Sequence, residues 1–439
     1  MLKKILFPLA GGMLLASQAG ALSLQESLIA ANNYNAEMSA ARSEHDADGQ
    51  KRHQGLAGLL PAISLDGSWI KTDQPDAAYS AGVTRHNYSI NLTQPLFDME
   101  KYATWRKSVV ISDLADVNLL IAQQKLIASV TTAYYGVLYQ RRVLETHHRS
   151  VKAFSAQLKQ TRKALEIGDG TRLDLAEAQA SYDKAVADEL MAENELNDAS
   201  VIFHQLTGLD PQAIPDSSMR CLRYTEKILP EQLRRDAAAN NLDVLAAIQT
   251  HKASEADILT ATSGHMPVVT LQAGYGKNWS RAENGNYLDT LFGTTSKTDN
   301  TQISVNVSLP LFGGGRPVSQ SLEAAHRFAQ SKDLITDARR KAEQQAIQAA
   351  SGVLNSQSQI KAYQRAITSA DKRLRATRYG REIGQRTLID EFNAEKDYFR
   401  TVQDLAQAQN ALIQAIVKLK TATGSLDYAA IQNLSCDAA

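Results

Sequence analysis

The chain has 439 residues, and its 47 Lys and Arg are balanced by 47 Asp and Glu, so it offers no net basic surface for a nucleic-acid backbone. With 10 prolines and 6% aromatics, the composition points to long helices rather than a β-sandwich or a disordered chain. A mean hydropathy of −0.30, with no apolar run of about 18 residues beyond the N-terminus, excludes a helical membrane protein but leaves a membrane β-barrel open.

Residues 1–21 read as a signal peptide. Lys3 and Lys4 precede an apolar run from Ile5 to Ala16, and Ala19-Gly20-Ala21 is the small-x-small pattern that signal peptidase cuts. The mature chain is expected to start near Leu22 with a formal charge of −2, and no cysteine follows the cut to carry a lipid anchor. Residues 24 to 57 read helical. Two segments then alternate at period two: Ile63-Ser64-Leu65-Asp66-Gly67-Ser68-Trp69, within a strand at about 61–72, and Tyr88-Ser89-Ile90-Asn91-Leu92-Thr93, within one at about 86–96. The second is expected to stop at Pro95, whose missing N–H ends the ladder.

From Asp98 to about Glu166 no proline interrupts the chain, which predicts one helix of nearly 70 residues, about 100 Å long at 1.5 Å per residue. A turn at Gly168 and a return helix stopping at Gly208 complete a hairpin over about 98–208. The same plan then recurs. Strands are expected at about 266–279 and 301–311, around Val269 to Tyr275 and Ile303 to Leu309, followed by a hairpin over about 313–424 that turns at Gly384 and stops at Gly424. On its return helix Tyr398, Val402, Leu405, Leu412, Ile416 and Leu419 form a heptad seam, read as packing between helices.

Self-comparison supports a duplication. Leu158, Thr161, Arg162, Ile167, Gly168, Asp174, Tyr182 and Gly208 recur at a constant offset of 216 as Leu374, Thr377, Arg378, Ile383, Gly384, Asp390, Tyr398 and Gly424. The chain therefore divides into repeats of about 22–212 and 213–439, with two strands in each.

The strands alternate apolar residues with Ser, Thr, Asn and Gln, and Trp69, Tyr88, Phe97, Tyr275, Trp279 and Phe312 flank them, as in an outer-membrane barrel with aromatic girdles. A sheet in lipid must close, and about 8 strands is the usual minimum, so four strands require association with other copies. Two copies would give about 8 strands, three about 12 and four about 16, and only about 12 or more leave an aqueous lumen. Long helices on the same sheet would continue that lumen as a tunnel.

Gln94-Pro95-Leu96-Phe97-Asp98, Leu60-Pro61, Ala178-Gln179-Ala180-Ser181-Tyr182-Asp183, Ser308-Leu309-Pro310-Leu311-Phe312-Gly313-Gly314-Gly315 and Gly384-Gln385-Arg386-Thr387-Leu388-Ile389-Asp390 resemble the TolC family of outer-membrane efflux and secretion channels. The resemblance spans essentially the whole mature chain. It implies a mixed fold, a membrane β-barrel plus a long α-helical tunnel, with two repeats and four strands per chain that close as a 12-stranded barrel only in a homotrimer. It further implies a passive exit duct in the outer-membrane lipid of a Gram-negative bacterium, with the tunnel in the periplasm. The partners implied are a periplasmic adaptor and an inner-membrane transporter, and neither catalysis nor a cofactor is implied.

In that family the periplasmic mouth closes at the hairpin tips, here Gly168 to Asp174 and Gly384 to Asn393. Asp390 matches an inward-facing aspartate, with Asp174 its repeat mate, and Arg386 matches an arginine that ties the closed mouth together. A ring of Asp390 copies would favour cations, whereas from the residues alone Asp390 also reads as a helix N-terminal residue favoured by the dipole. The chain departs from the pattern at Asn393 and Arg381, where a second aspartate and a tyrosine are usual, which puts a second acidic ring and one closing contact in question.

Other motifs carry less. His147-His148 lacks metal-site spacing, Gly313-Gly314-Gly315-Arg316 lacks the Gly-Lys-Ser/Thr ending of a phosphate loop, and no nucleophile-elbow or zinc-protease motif occurs. Cys221 and Cys436 lie 13 and 12 residues after Gly208 and Gly424, so either a disulfide or two unpaired thiols fits an exported chain. An exported coiled-coil structural or adhesive protein is the alternative reading, but it gives no reason for two girdled hairpins at equivalent places. The cargo, whether drugs, metal ions or secreted protein, is not written in this chain.

Overall fold

The computed structural model describes residues 22–73, 82–216, 228–282, 287–291 and 295–432; the expected signal peptide and both Cys221 and Cys436 lie outside the described residues. In chain order the elements are α1 (Leu24–Tyr34), α2 (Ala36–Ala57), β1 (Ala62–Asp73), β2 (Gly82–Phe97), α3 (Met99–Glu166) and α4 (Arg172–Thr207), then a 3-10 turn (Pro211–Ala213). They continue with α5 (Pro230–Asn240), α6 (Leu242–Ser263), β3 (Val268–Ala282), α7 (Tyr287–Leu291), β4 (Ser296–Ser308), α8 (Arg316–Glu382), α9 (Leu388–Ala422) and α10 (Tyr428–Gln432). Two short helices, two strands and a helical hairpin thus occur twice, with α7 inserted between the second pair of strands.

Asparagines break the short helices at equivalent places. Asn35 Oδ1 accepts from Met38 N at 2.9 Å at the start of α2, and Asn241 Oδ1 accepts from Asp243 N at 3.0 Å at the start of α6. The long helices α3 and α8 run for 68 and 67 residues. α4 ends on Gly208, whose φ of 70° is the left-handed cap that closes a helix C-terminus. In the second repeat Thr423 takes the cap position and Gly424 follows it at φ 66°.

The four strands form one antiparallel sheet in the order β1-β2-β3-β4, so the repeats join at β2–β3, where Ser89 pairs with Gly276. The register sorts the side chains by face. Ile63, Leu65 and Trp69 of β1 stand opposite Leu92, Ile90 and His86 of β2, the Leu92 row continues through Ala273 to Ile303 of β4, and Tyr275, Trp279, Val305 and Val307 lie on the same face. The other face carries Ser64, Asp66, Ser89, Asn91, Gln272 and Ser304, and Asp66 Oδ2 accepts from Asn91 Nδ2 at 2.7 Å and from Ser64 Oγ at 3.0 Å. Both faces are open in the single chain: Leu65 is 77% and Ile303 74% exposed on one, and Ser64 and Asp66 are exposed on the other. Trp279 stacks on His86 at 5.0 Å in the row that holds Trp69, so these three rings lie at the loop end of the sheet, whereas Phe97 ends β2 at the opposite end.

β2 does not stop at Pro95. The proline pairs with Thr270 and the strand runs on to Phe97 through a register shift, because a bulge accommodates a residue without an N–H. β2 also begins at Gly82 and β4 at Ser296, earlier than the alternation suggests, since polar residues such as Thr84 and Thr298 pair as well as apolar ones.

The described residues fall into two compact units, each drawing on both repeats: one takes residues up to Ser39, Gln123 to Arg235 and from Gln344 onward, the other Ala40–Ala122 and Asp236–Glu343. The second unit holds the sheet and the helix segments next to it. Lys107 pairs with Asp257 at 2.6 Å there, and His251 stacks on Phe328 at 4.4 Å. In the first unit α1 packs on α4, and Tyr134, Tyr135, Phe203, Leu24 and Leu28 are buried. The seam on α9 is real packing: Leu412, Ile416 and Leu419 bury against Ala349, Ala350 and Val353 of α8.

Candidate functional site

The hairpin tips are built alike. α3 ends at Glu166 and Gly168 turns the chain at φ 80°; α8 ends at Glu382 and Gly384 turns it at φ 76°. Only glycine adopts that region without strain, which accounts for the recurrence. The loop closes on the helix end, with Asp169 N donating to Ala164 O at 2.8 Å and Gln385 N to Gly380 O at 2.7 Å.

Each return helix opens with a capping box. Thr171 N and Oγ1 donate to Asp174 Oδ2 at 3.2 and 2.7 Å, and Asp174 N donates back to Thr171 Oγ1 at 3.0 Å. Thr387 N and Oγ1 donate to Asp390 Oδ2, both at 3.0 Å, and Asp390 N donates to Thr387 Oγ1 at 3.2 Å. The two aspartates therefore cap the first turns of their helices and remain partly exposed to solvent. The Thr387 backbone N–H, then its hydroxyl, then the Arg386 charge hold the Asp390 carboxyl below the usual carboxylate range.

The other expected tip residues are placed differently. Arg386 lays its stem against Gly380, where an added Cβ would come within 2.8 Å of Arg386 Cγ, and among the described residues it forms no ion pair within the chain. Asn393 is exposed and lines a cavity of about 510 Å³ together with His147, Lys184, Lys396 and Arg400. Arg381 reaches both hairpins: its Nε stands 2.5 Å from Glu391 Oε2 in its own hairpin, a charge contact without hydrogen-bond geometry, and its Nη2 donates to Gln160 Oε1 of α3, in the first hairpin, at 3.4 Å.

Glu391 and Glu395, 4% and 3% exposed, are the residues that sequence reasoning missed. Arg378 Nε donates to Glu391 Oε1 at 3.1 Å and Arg378 Nη2 to Glu395 Oε1 at 2.8 Å. Burial, opposed by Arg378 and reinforced by the Glu391 charge, pushes the Glu395 carboxyl above the usual range. The signal was in the heptad, for 391 and 395 continue the 4-3 spacing of Tyr398, Val402 and Leu405 back to the tip, placing carboxylates on a mainly apolar seam that Gln409 also interrupts. Beside them Phe392 packs on Phe154 of the first hairpin at 5.7 Å, within a cluster that includes Leu158, Leu175, Tyr182 and Leu388.

A family model described as outer membrane efflux protein matches residues 28–209 and 233–425, one segment for each repeat. The chain belongs to that family. It is 28% identical to the outer membrane protein TolC of Escherichia coli over 397 residues, which cover 90% of this chain and 80% of TolC. It is 27% identical to the alkaline protease secretion protein AprF of Pseudomonas aeruginosa over 436 residues, covering 96% of this chain and 88% of AprF. The outer membrane protein VceC of Vibrio cholerae shares the fold, with a TM-score of 0.76 and 18% identity over 91% of this chain and 96% of VceC. As an outer membrane efflux protein the chain is an exit duct in the outer membrane of a Gram-negative bacterium, serving efflux or secretion, with its helices in the periplasm. It is not an enzyme, and its partners are of the general kind found in tripartite pumps or secretion systems.

Proposed function

We propose that the mature chain, freed of residues 1–21, works as a homotrimer whose three sheets close into one 12-stranded barrel, the outer-membrane end of a tripartite efflux pump or type I secretion system. The carrying observation is the sheet itself, with an apolar face, a hydroxyl and amide face, and two open edges at β1 and β4. In lipid each unpaired edge group costs several kcal/mol, so β4 of one copy takes β1 of the next. The apolar face then meets lipid and the polar face lines water. Efflux and secretion are both supported, because the relatives include a protease secretion protein and an outer membrane efflux protein.

The tips at Gly168 to Asp174 and Gly384 to Asn393 form the periplasmic mouth, which a periplasmic adaptor and an inner-membrane transporter open. Asp390, with Asp174 in the other repeat, supplies the acidic ring that favours cations, and Arg386, unpaired within its own chain among the described residues, is available to a neighbouring copy. Asn393 adds no second acidic ring, and Lys396 and Arg400 stand beside it. The purified full-length mature protein in a planar bilayer should open discrete, cation-preferring channels of low resting conductance. Absence of conductance from correctly inserted protein would refute the duct.

A further inference from the structure

The two hairpins of a chain share tip turns and capping boxes but not the contacts that seat the return helix. At the constant offset of 216, Arg381 and Glu391 correspond to Leu165 and Leu175, and Glu395 corresponds to Gln179. Where the second hairpin has a buried charge contact, the first has two half-buried leucines, and Gln179 turns along its own helix to donate to Asp183 Oδ1 at 2.8 Å. Arg378 keeps its counterpart, the exposed Arg162, but only in the second repeat does that arginine face buried carboxylates.

We propose that Arg381 is a positioning residue of the mouth: with Arg378 it seats the first two turns of α9 on α8 through the buried carboxylates of Glu391 and Glu395, and so holds closed the helix start that carries Asp390. The inference rests on the mouth proposed above. The geometry supports it from two sides. Glu391 and Glu395 face α8, while Phe392 and Leu388, on the same two turns, pack into the first hairpin at Phe154 and Leu158. The start of α9 is therefore held by charge on one side and by apolar contact on the other, and it joins the second hairpin to the first together with the Arg381 contact to Gln160. Removing one member of a buried charge pair strands the other, whereas replacing both with apolar residues is tolerated. The first repeat already contains that apolar pair.

The test uses the full mature protein in planar bilayers, with Arg381→Leu, the double variant Arg381→Leu with Glu391→Leu, and Arg381→Lys. The single Leu variant should raise the resting conductance by about tenfold and weaken cation preference, as expected when a closed state loses a buried pair. The double variant, which copies the first repeat, should return to within about twofold of the parent, and Arg381→Lys should stay near it. If the single variant does not assemble but the double variant does, the coupling is equally supported. The proposal is overturned if the double variant leaks as much as the single, if Arg381→Leu conducts like the parent, or if neither Leu variant assembles. A parent that does not conduct would instead refute the duct itself.

Discussion

Replacing Thr387 with Ala removes the hydroxyl that donates to Asp390 Oδ2 at 3.0 Å and accepts from Asp390 N at 3.2 Å, and leaves only the Thr387 backbone N–H on the carboxylate. Loss of an N-cap hydroxyl costs about 0.5–2 kcal/mol. Here the value should be about 1 kcal/mol, the middle of that range, because the box is open to solvent. Phe392 and the buried Glu391 still anchor α9, so the charge at Asp390 keeps its place. Asp390→Asn does the reverse: it retains an acceptor for the cap and removes the charge. A unit charge about 4 Å from an ion in water is worth about 1 kcal/mol, reduced by salt over a Debye length of about 8–10 Å. Three carboxylates around one mouth then sum to roughly 1–2 kcal/mol, or about fivefold or more in cation over anion permeability. Reversal potentials across a salt gradient should therefore collapse in Asp390→Asn and survive in Thr387→Ala, while thermal unfolding moves mainly in Thr387→Ala. Equal loss of cation preference in both variants would refute the reasoning, since it would mean that the cap and not the charge sets selectivity.

Val305→Arg places a charge on the apolar face of β4 and should cost about 2–4 kcal/mol near the bilayer centre, whereas Ser304→Arg on the polar face should be nearly neutral; urea unfolding in lipid compares them. The pH dependence of stability should carry two opposite signs. Asp390, held low by Thr387, contributes stability that is present above the ordinary aspartate value of 3.8 and is lost as the pH falls through its lowered value. Glu395, pushed up by burial, binds its proton more readily folded than unfolded, so its contribution is complete below the ordinary glutamate value of 4.5 and is lost as the pH rises through its raised value. Thermal melts of Glu395→Gln against pH should lack that second loss, and an unchanged profile would remove Glu395 as its source.

The sequence carried the long helices, the strands and the tips because each leaves a local mark. Proline-free runs, period-two alternation and turn glycines at the 216 offset need no knowledge of the partner surface. Pro95 was misread because the rule that proline ends a ladder ignores the bulge that lets β2 continue to Phe97. The capping boxes were legible as Thr-x-x-Asp at 171–174 and 387–390, and they explain why both aspartates recur independently of any ring. What sequence alone could not supply was direction. Arg381 stands where the resemblance implies a closing contact, yet its charge meets Glu391 of its own hairpin as well as Gln160 of the first, and only the packing of α8 against α9 shows that a seam position can hold a carboxylate when arginines three residues apart meet it.

The measurement that bears most directly on the account is the stoichiometry of the mature protein extracted from the outer membrane, read by native mass spectrometry in detergent. Four strands with open edges at β1 and β4 predict a single species of three copies that resists dilution. A stable monomer, or a dominant species of two or four copies, would contradict the 12-stranded barrel and the duct built on it.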